Sequence, residues 1–257
     1  MSNTALITGA SAGIGREFAR YHASLGGDLI ITARRVAELD ALKTELEAAH
    51  GVKVTAIALD LGAADGAAAL YLAVKGQQID VLINNAGFGG HGLFVERDLD
   101  ADLAMIDLNV KSLVSLCHMI GRDMAARGAG KILNVSSTAS YMPGPLQATY
   151  FATKAFVSSF SYALAEELAD KGVTVTALEP GYVETEFAAV ADLENTSLTT
   201  SGKSAASVAK VGYDAMLDGK LRVINERMLA FQLHWLMPLM PMGMKMKFIR
   251  KMQEKLS

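Results

Sequence analysis

Short, nearly unbroken apolar runs alternate along the chain with stretches in which apolar residues recur at helical spacing. The runs Ala5 to Thr8, Leu29 to Thr32, Val52 to Ala58, Val81 to Asn84, Lys131 to Ser136 and Val173 to Leu178 predict strands, and a weaker one lies at Leu221 to Ile224. Strands apolar at consecutive positions are those covered on both faces, the pattern of a parallel sheet flanked by helices. The stretches at about 14–26, 36–49, 63–75, 98–127, 149–171 and 204–218 predict helices. In the second of these, Leu39, Leu42 and Leu46 line one face and charged residues the other. Alternating βαβ units with right-handed crossovers give an α/β doubly wound sheet. No linker, low-complexity tract or repeat interrupts the pattern, so residues 1–257 are expected to form a single domain. The composition changes only after about residue 185, giving a variable loop at about 186–205 and a Met-rich extension at about 226–257.

Composition narrows the function. Half of the residues are apolar and a net charge of −3 leaves no global basic field, which argues against nucleic acid as a partner. The single cysteine, Cys117, excludes an internal disulfide and any cysteine-based metal cluster, and the five histidines are scattered without ligand spacing, so no metal is expected. No signal peptide precedes Thr4-Ala5-Leu6-Ile7-Thr8, and no apolar run reaches the ~20 residues of a spanning helix. These features imply a soluble, cytoplasmic protein.

The candidate chemistry centres on Tyr150 and Lys154. They stand four residues apart on one predicted helix, so phenol and ammonium are neighbours. An unperturbed tyrosine gives up its proton only near pH ~10. A nearby cation favours the phenolate, which suits the pair to exchanging a proton with a substrate oxygen. Upstream, strand one runs into Thr8-Gly9-Ala10-Ser11-Ala12-Gly13-Ile14-Gly15 and then a helix. Glycines there allow a sharp turn and a close approach of backbone N–H groups to a pyrophosphate at the helix N-terminus, with Gly9, Ser11, Gly13, Ile14 and Gly15 as the candidate binders. Strand two ends in Thr32-Ala33-Arg34-Arg35, with no carboxylate to take a ribose 2′-hydroxyl; Asp28 lies at the wrong end. Guanidinium groups suit a 2′-phosphate, which predicts NADP(H) in preference to NAD(H), with Arg34 the main anchor and Arg35 the second. Asp60, followed by Leu61, caps its own loop or meets the adenine edge, or does both.

Further motifs follow in order. Strand four ends in Asn84-Asn85-Ala86-Gly87, and Asn109 occupies a helix interior, an unfavourable place for an amide without a task. Strand five ends in Asn134-Val135-Ser136-Ser137, thirteen residues before Tyr150, and strand six leads into Pro180-Gly181-Tyr182-Val183-Glu184-Thr185. Together with the TGxxxGxG and YxxxK patterns, these residues resemble the short-chain dehydrogenase/reductase family of ordinary length, over residues 3–187 and the last strand. The resemblance implies a Rossmann-type sheet of about seven strands in the order 3-2-1-4-5-6-7. It implies that Tyr150 is the general acid or base and that Ser137, rather than Ser136, polarises the substrate oxygen. Lys154 would lower the tyrosine pKa and bind the nicotinamide ribose, and Asn109 would hold a water in a proton relay. Asn85, Ala86 and Gly87 would line the adenosine side of the cofactor. Val183 and Thr185 match positions that hold the carboxamide and the pyrophosphate, with Pro180 and Gly181 in the same cofactor-binding turn.

The residues above this site are apolar: Phe88, Phe94, Tyr141, Met142 and Phe187. They suggest a hydrophobic or acyl-bearing carbonyl substrate, 3-oxoacyl or steroid-like, or else serve only as core. Residues 188–203 are small and polar, as suits a flexible lid or a plain surface loop. Seven of thirteen methionines fall within 228–257, beside Trp235 and ahead of Lys245, Lys247, Arg250, Lys251 and Lys255. Three readings stay open there: a pocket cover or subunit contact, peripheral membrane docking, and a simple packing helix. The long helices at 98–127 and 149–171 have apolar surface enough for a homodimer or homotetramer. The expected protein is an NADP(H)-dependent oxidoreductase acting on a carbonyl or secondary alcohol. The rivals are an idle NADP-binding sensor or scaffold and an epimerase or dehydratase of the longer related family.

Overall fold

The computed structural model describes residues 3–199 and 202–255. Six strands alternate with helices: β1 (Thr4–Thr8), α1 (Gly13–Ser24), β2 (Asp28–Ala33), α2 (Val36–His50), β3 (Val54–Ala58), α3 (Gly66–Val74), β4 (Val81–Asn84), α4 (Leu99–Ile106), α5 (Leu113–Arg127), β5 (Gly130–Val135), α6 (Ala148–Ala169) and β6 (Val173–Leu178). Two-residue strands β7 (Val183–Glu184) and β8 (Lys203–Ser204) then pair with each other outside the main sheet, on either side of α7 (Phe187–Val190). Helix α8 (Ala205–Leu217) leads to β9 (Arg222–Val223), and α9 (Arg227–Phe231) and α10 (Met242–Gln253) close the chain. The main sheet is parallel throughout, in the order β3-β2-β1-β4-β5-β6-β9. This is the expected seven-strand Rossmann-type order, with the weak seventh strand reduced to two residues.

The apolar runs are explained by burial on both faces. Ile7, Ile31, Ile83 and Leu133 pack with α1, α2 and α8 through Phe18, Leu39, Val208 and Tyr213. Their sequence neighbours Leu6, Ile30, Leu82 and Ile132 point the other way, towards α3, α5 and α6 through Leu70, Leu116, Ile120 and Val157. Between the layers Asn84 and Asn134 face each other across β4 and β5, with Nδ2 of the first 2.9 Å from Oδ1 of the second. Asn84 also donates to the Cys117 thiol at 3.2 Å, and burial pushes that thiol up to about 12. Cys117 is therefore a packed, protonated thiol and not a nucleophile.

Three sequence expectations change. The helix predicted over 98–127 is interrupted by a π-helical turn, Asp107–Ser112, between α4 and α5. As one run, Leu99–Arg127 is long and apolar enough to cross a membrane, contrary to expectation; in this fold Leu113, Leu116, Ile120 and Met124 pack against the sheet, as in a core helix. Where described, the segment 188–203 is packed and no loose polar lid: Ala188, Ala191 and Leu193 are buried together, and Thr196 forms an antiparallel bridge with Lys255. The Thr200-Ser201 part of that expectation lies outside the described residues.

Candidate active site

The candidate residues lie on the loops that follow β1 to β6 and on the helical segments that carry Asn109, Tyr150 and Lys154, around the point where the strand order reverses between β1 and β4. Open α/β sheets bind their ligands at that switch point. The glycine-rich turn is closely packed. Gly9 has φ +67°, and a Cβ on it would lie 2.8 Å from Asn85 Nδ2 and 2.9 Å from Ala86 Cα. A Cβ on Gly15 would run into the Gly9 carbonyl oxygen and Asn85 Nδ2, and one on Gly13 would press on Thr185 at 3.1 Å. Asn85 stitches these segments together, since its Nδ2 donates to the Thr8 and Gly9 carbonyls at 3.0 and 3.3 Å. Helix α1 starts directly behind, with Ala12 at its N-cap, no side-chain cap and no acid in its first turn. Helices α4 and α8, by contrast, are capped by Asp98 and Ser204. Backbone glycines at an uncapped helix start fit an anionic pyrophosphate.

The two arginines separate. Arg35 turns over the glycine-rich loop, donating to Ser11 Oγ and to the Ser11 carbonyl at 3.3 Å each, and pairs with Glu186 at 3.0 Å. Arg34 is exposed and makes no ion pair among the described residues. Arg35 thus sits at the start of α2 with its side chain over the turn, and Arg34 stands exposed beside it. Asp60 caps its own loop through the Gly62 N–H at 2.9 Å, and Leu61 is buried in the core.

The polar centre lies across β4, β5 and α6. Tyr150 and Lys154 are both buried on α6. Ser137, at the end of β5, has its hydroxyl 3.5 Å from the Pro180 carbonyl and accepts the Ala139 N–H at 3.1 Å. Ser136 points away, donating to the Lys154 carbonyl and meeting Ser158 Oγ, both at 2.8 Å. Burial pushes the Tyr150 phenol up to about 12, with the Ser137 hydroxyl opposing it. Burial also lowers Lys154 to about 8. The expected depression of the tyrosine by its lysine is thus not found. The Lys154 Nζ is 5.8 Å from the ring centroid and bound to the Val135 carbonyl at 2.9 Å, and desolvation outweighs their coupling. At neutral pH the phenol is held protonated, as a proton donor should be.

Asn109 has its task. From the π-helical turn its Nδ2 donates to the Phe88 carbonyl at 2.9 Å and to Thr153 Oγ1 at 3.2 Å, while its Oδ1 accepts the Phe88 N–H at 3.1 Å. It fixes the loop after β4. A Cβ on Gly87 would come within 2.9 Å of Asn109 Oδ1 and 3.6 Å of Lys154 Nζ, so that glycine admits both. On the far side, Gly181 donates to Asn225 at 3.3 Å, and Val183 is buried. Thr185 Oγ1 accepts the Phe187 N–H at 3.2 Å, which starts α7. Phe187 brings its ring to 5.4 Å from that of Tyr150. Phe88, Met142, Phe151, Ile249 and Met252 complete an apolar wall, and Met142 and Phe151 also line an open pocket of about 480 Å³ between Ser140–Pro145 and α6.

Sequence reasoning passed over two groups. Thr8 Oγ1 accepts the Asn85 and Ala86 N–H groups at 2.9 and 3.0 Å and so sets the second loop against the first. Its position immediately before the glycine turn was the available signal. Glu179 is fully buried before Pro180 and accepts from the hydroxyls of Ser158, Tyr141 and Tyr162. Tyr141 in turn meets His234 Nε2 at 3.0 Å. Nothing in the local sequence marks a lone glutamate as such an anchor.

Residues 3–195 match the family described as short chain dehydrogenase. Sulfoacetaldehyde reductase 2 of Chromohalobacter salexigens is 38% identical over 216 residues, 81% of each chain. A 3-oxoacyl-[acyl-carrier-protein] reductase of Synechocystis is 35% identical over 72% of this chain and 76% of that one. A short chain dehydrogenase from Pseudocercospora fijiensis is 35% identical over 76% of this chain, and the match spans only 64% of that relative's length. Among solved structures, a short-chain dehydrogenase from Sphingobium yanoikuyae in complex with NADPH superposes with a TM-score of 0.85 at 31% identity, over 91% of this chain and 92% of the other.

Proposed function

The chain belongs to the short-chain dehydrogenase/reductase family, and from that premise we propose that it is an NADPH-dependent reductase of hydrophobic or acyl-bearing ketones. As a family member it is an oxidoreductase acting on CH–OH and C=O groups with a nicotinamide cofactor. The observation that carries the reductase reading is the buried Tyr150 phenol, held protonated by its burial, on the same helix as the buried Lys154. The bound nicotinamide supplies the hydride. Ser137 donates to the carbonyl oxygen and polarises it, and Tyr150 then gives its proton to that oxygen as negative charge develops there. Lys154 supports the ribose hydroxyls and the emerging charge. Asn109 positions the Phe88 backbone and Thr153 behind it and fits the proton-relay place that the resemblance gives it. Gly9, Ser11, Gly13, Ile14, Gly15 and Thr185 would hold the pyrophosphate, and Asn85 to Gly87 with Asp60 and Leu61 would form the adenosine side. Pro180, Gly181 and Val183 would form the nicotinamide side. The apolar wall of Phe88, Met142, Phe151 and Phe187 supports a bulky apolar ketone over a small charged aldehyde. Exposed Leu99, Leu103 and Ile106 on α4 support a homodimer or homotetramer.

The test is NADPH and NADH oxidation against a panel of 3-oxoacyl thioesters, steroid ketones, diketones and small aldehydes, sulfoacetaldehyde included. NADPH should be preferred. The Arg35→Ala variant should lose about 10- to 100-fold in kcat/KM for NADPH, the worth of a charge-assisted bond, with little change for NADH, and Arg34→Ala should lose less. Equal use of both cofactors by the wild type would remove the NADP reading. Turnover confined to small charged aldehydes would remove the ketone reading.

The pH profile follows from the two buried groups. Lys154 is cationic below about 8 and neutral above it, whereas Tyr150 keeps its proton to about 12. The kcat/KM for NADPH, which reports the free enzyme, should be level near neutrality and fall by up to about tenfold per pH unit above the lysine value. The inflection should vanish in Lys154→Met, at a lower plateau. A wild-type profile level to pH ~10, the ordinary lysine range, would show either that Lys154 is not lowered by its burial or that its charge has no part, and each overturns this expectation.

A further inference from the structure

The C-terminal segment is anchored on one side and bare on the other. On its inner side Ile249 and Met252 of α10 pack in the cluster that holds Tyr150 and Phe151, and His91 Nε2 meets the Gln253 carbonyl at 2.8 Å. Ser197 Oγ donates to the Met252 carbonyl at 2.9 Å, and Lys255 pairs with Asp192. On its outer side Trp235 is 69% exposed and Leu239 82%, with Met228, Phe231, Leu236, Met242, Met244 and Phe248 also open to solvent. Lys247, Arg250 and Lys251 are exposed among them, and Lys245 is half-buried. Residues 227–253 hold five lysines and arginines, of which Arg250 is paired with the flanking Glu254 at 3.4 Å, and no acidic residue of their own, in a chain whose net charge is −3.

We infer that this outward face is a docking surface for an anionic lipid bilayer. Large apolar side chains left exposed together in one segment mark a binding surface. Its aromatic and long aliphatic side chains fit the headgroup boundary, and the interleaved cations fit anionic headgroups. Pro238 and Pro241 break the segment, and α10 has only twelve residues, so it lies on a bilayer and does not cross it. A second copy is a poor occupant, because an isologous contact would set the same five cations against each other.

The test is flotation of the full chain with phosphatidylcholine vesicles, with and without phosphatidylserine, beside the variants Lys247→Gln/Lys251→Gln and Trp235→Ser/Leu239→Ser. The wild type should float with anionic vesicles only, and less so at high salt. Each lysine near the surface is worth about 1 kcal/mol, so the lysine pair should weaken partitioning about 30-fold. The apolar pair should lose flotation too, while NADPH affinity, unchanged in both variants, certifies the fold. No flotation of the wild type, or flotation that neither variant alters, would overturn the proposal. So would sedimentation showing self-association of the wild type that Trp235→Ser/Leu239→Ser abolishes, since a second copy would then cover the face. None of these readings depends on turnover.

Discussion

Replacing Tyr150 by phenylalanine is expected to lower kcat by about 10²–10⁴-fold, the usual worth of a positioned general acid. NADPH affinity should stay within about twofold, a change well under 1 kcal/mol. The substitution removes one oxygen and keeps the ring, whose neighbours are Phe151 at 6.2 Å and Phe187 at 5.4 Å between centroids. Ser137 still has the Pro180 carbonyl at 3.5 Å and the Ala139 N–H at 3.1 Å, so no buried hydroxyl is orphaned. Stability should therefore hold, and an unchanged melting temperature would exclude unfolding as the cause of any loss. The high phenol pKa sharpens the expectation. Because burial holds the proton on Tyr150, reduction should run readily at neutral pH, whereas alcohol oxidation, which needs the phenolate, should improve as pH rises. Turnover retained by the phenylalanine variant would remove Tyr150 as the acid.

How far the sequence reaches depends on whether a property is local. The strands were legible because a two-sided burial leaves continuous apolar runs such as Leu6-Ile7 and Ile30-Ile31, whereas the strand order came only from the family resemblance, since βαβ handedness sets the hand of each crossover and not which strands are neighbours. The nearness of Tyr150 to Lys154 was legible for the same reason, since helical spacing is local. The sign of their effect on each other was not. Adjacent charge and burial act in opposite directions, and only the packed structure says that burial dominates. The contact of Arg35 with Ser11 also escaped the sequence, because it turns on which side chain the start of α2 directs over the turn. Asn109 was flagged as a misfit in a helix; that the helix yields there by a π-helical turn needed coordinates. Residues 188–203 misled because their polar composition hides tertiary contacts, among them the fully buried Thr196.

Replacing Gly15 by alanine is expected to be the most damaging single-carbon change for cofactor binding. The added Cβ would meet the Gly9 carbonyl oxygen and the Asn85 amide, and neither is the free end of a flexible chain. Gly9 is fixed at φ +67° with Ala86 Cα close behind it. Asn85 is held by the Thr8 and Gly9 carbonyls at 3.0 and 3.3 Å, and its own N–H is bound by Thr8 Oγ1 at 2.9 Å. Relief must come from opening the turn, and that moves the backbone N–H groups which would face the pyrophosphate. Overpacking of this kind costs about 1–3 kcal/mol, so NADPH should bind roughly 5- to 150-fold more weakly by fluorescence titration, with a melting temperature lower by a few degrees. Gly243→Ala in α10 is the matched control, because no atom lies within 4 Å of its Cβ position and alanine is the better helix former. It should leave NADPH affinity unchanged. If Gly15→Ala bound NADPH as tightly as the wild type, the packed glycine turn would not be the pyrophosphate cradle, and the cofactor reading of the whole β1–α1 junction would fall with it.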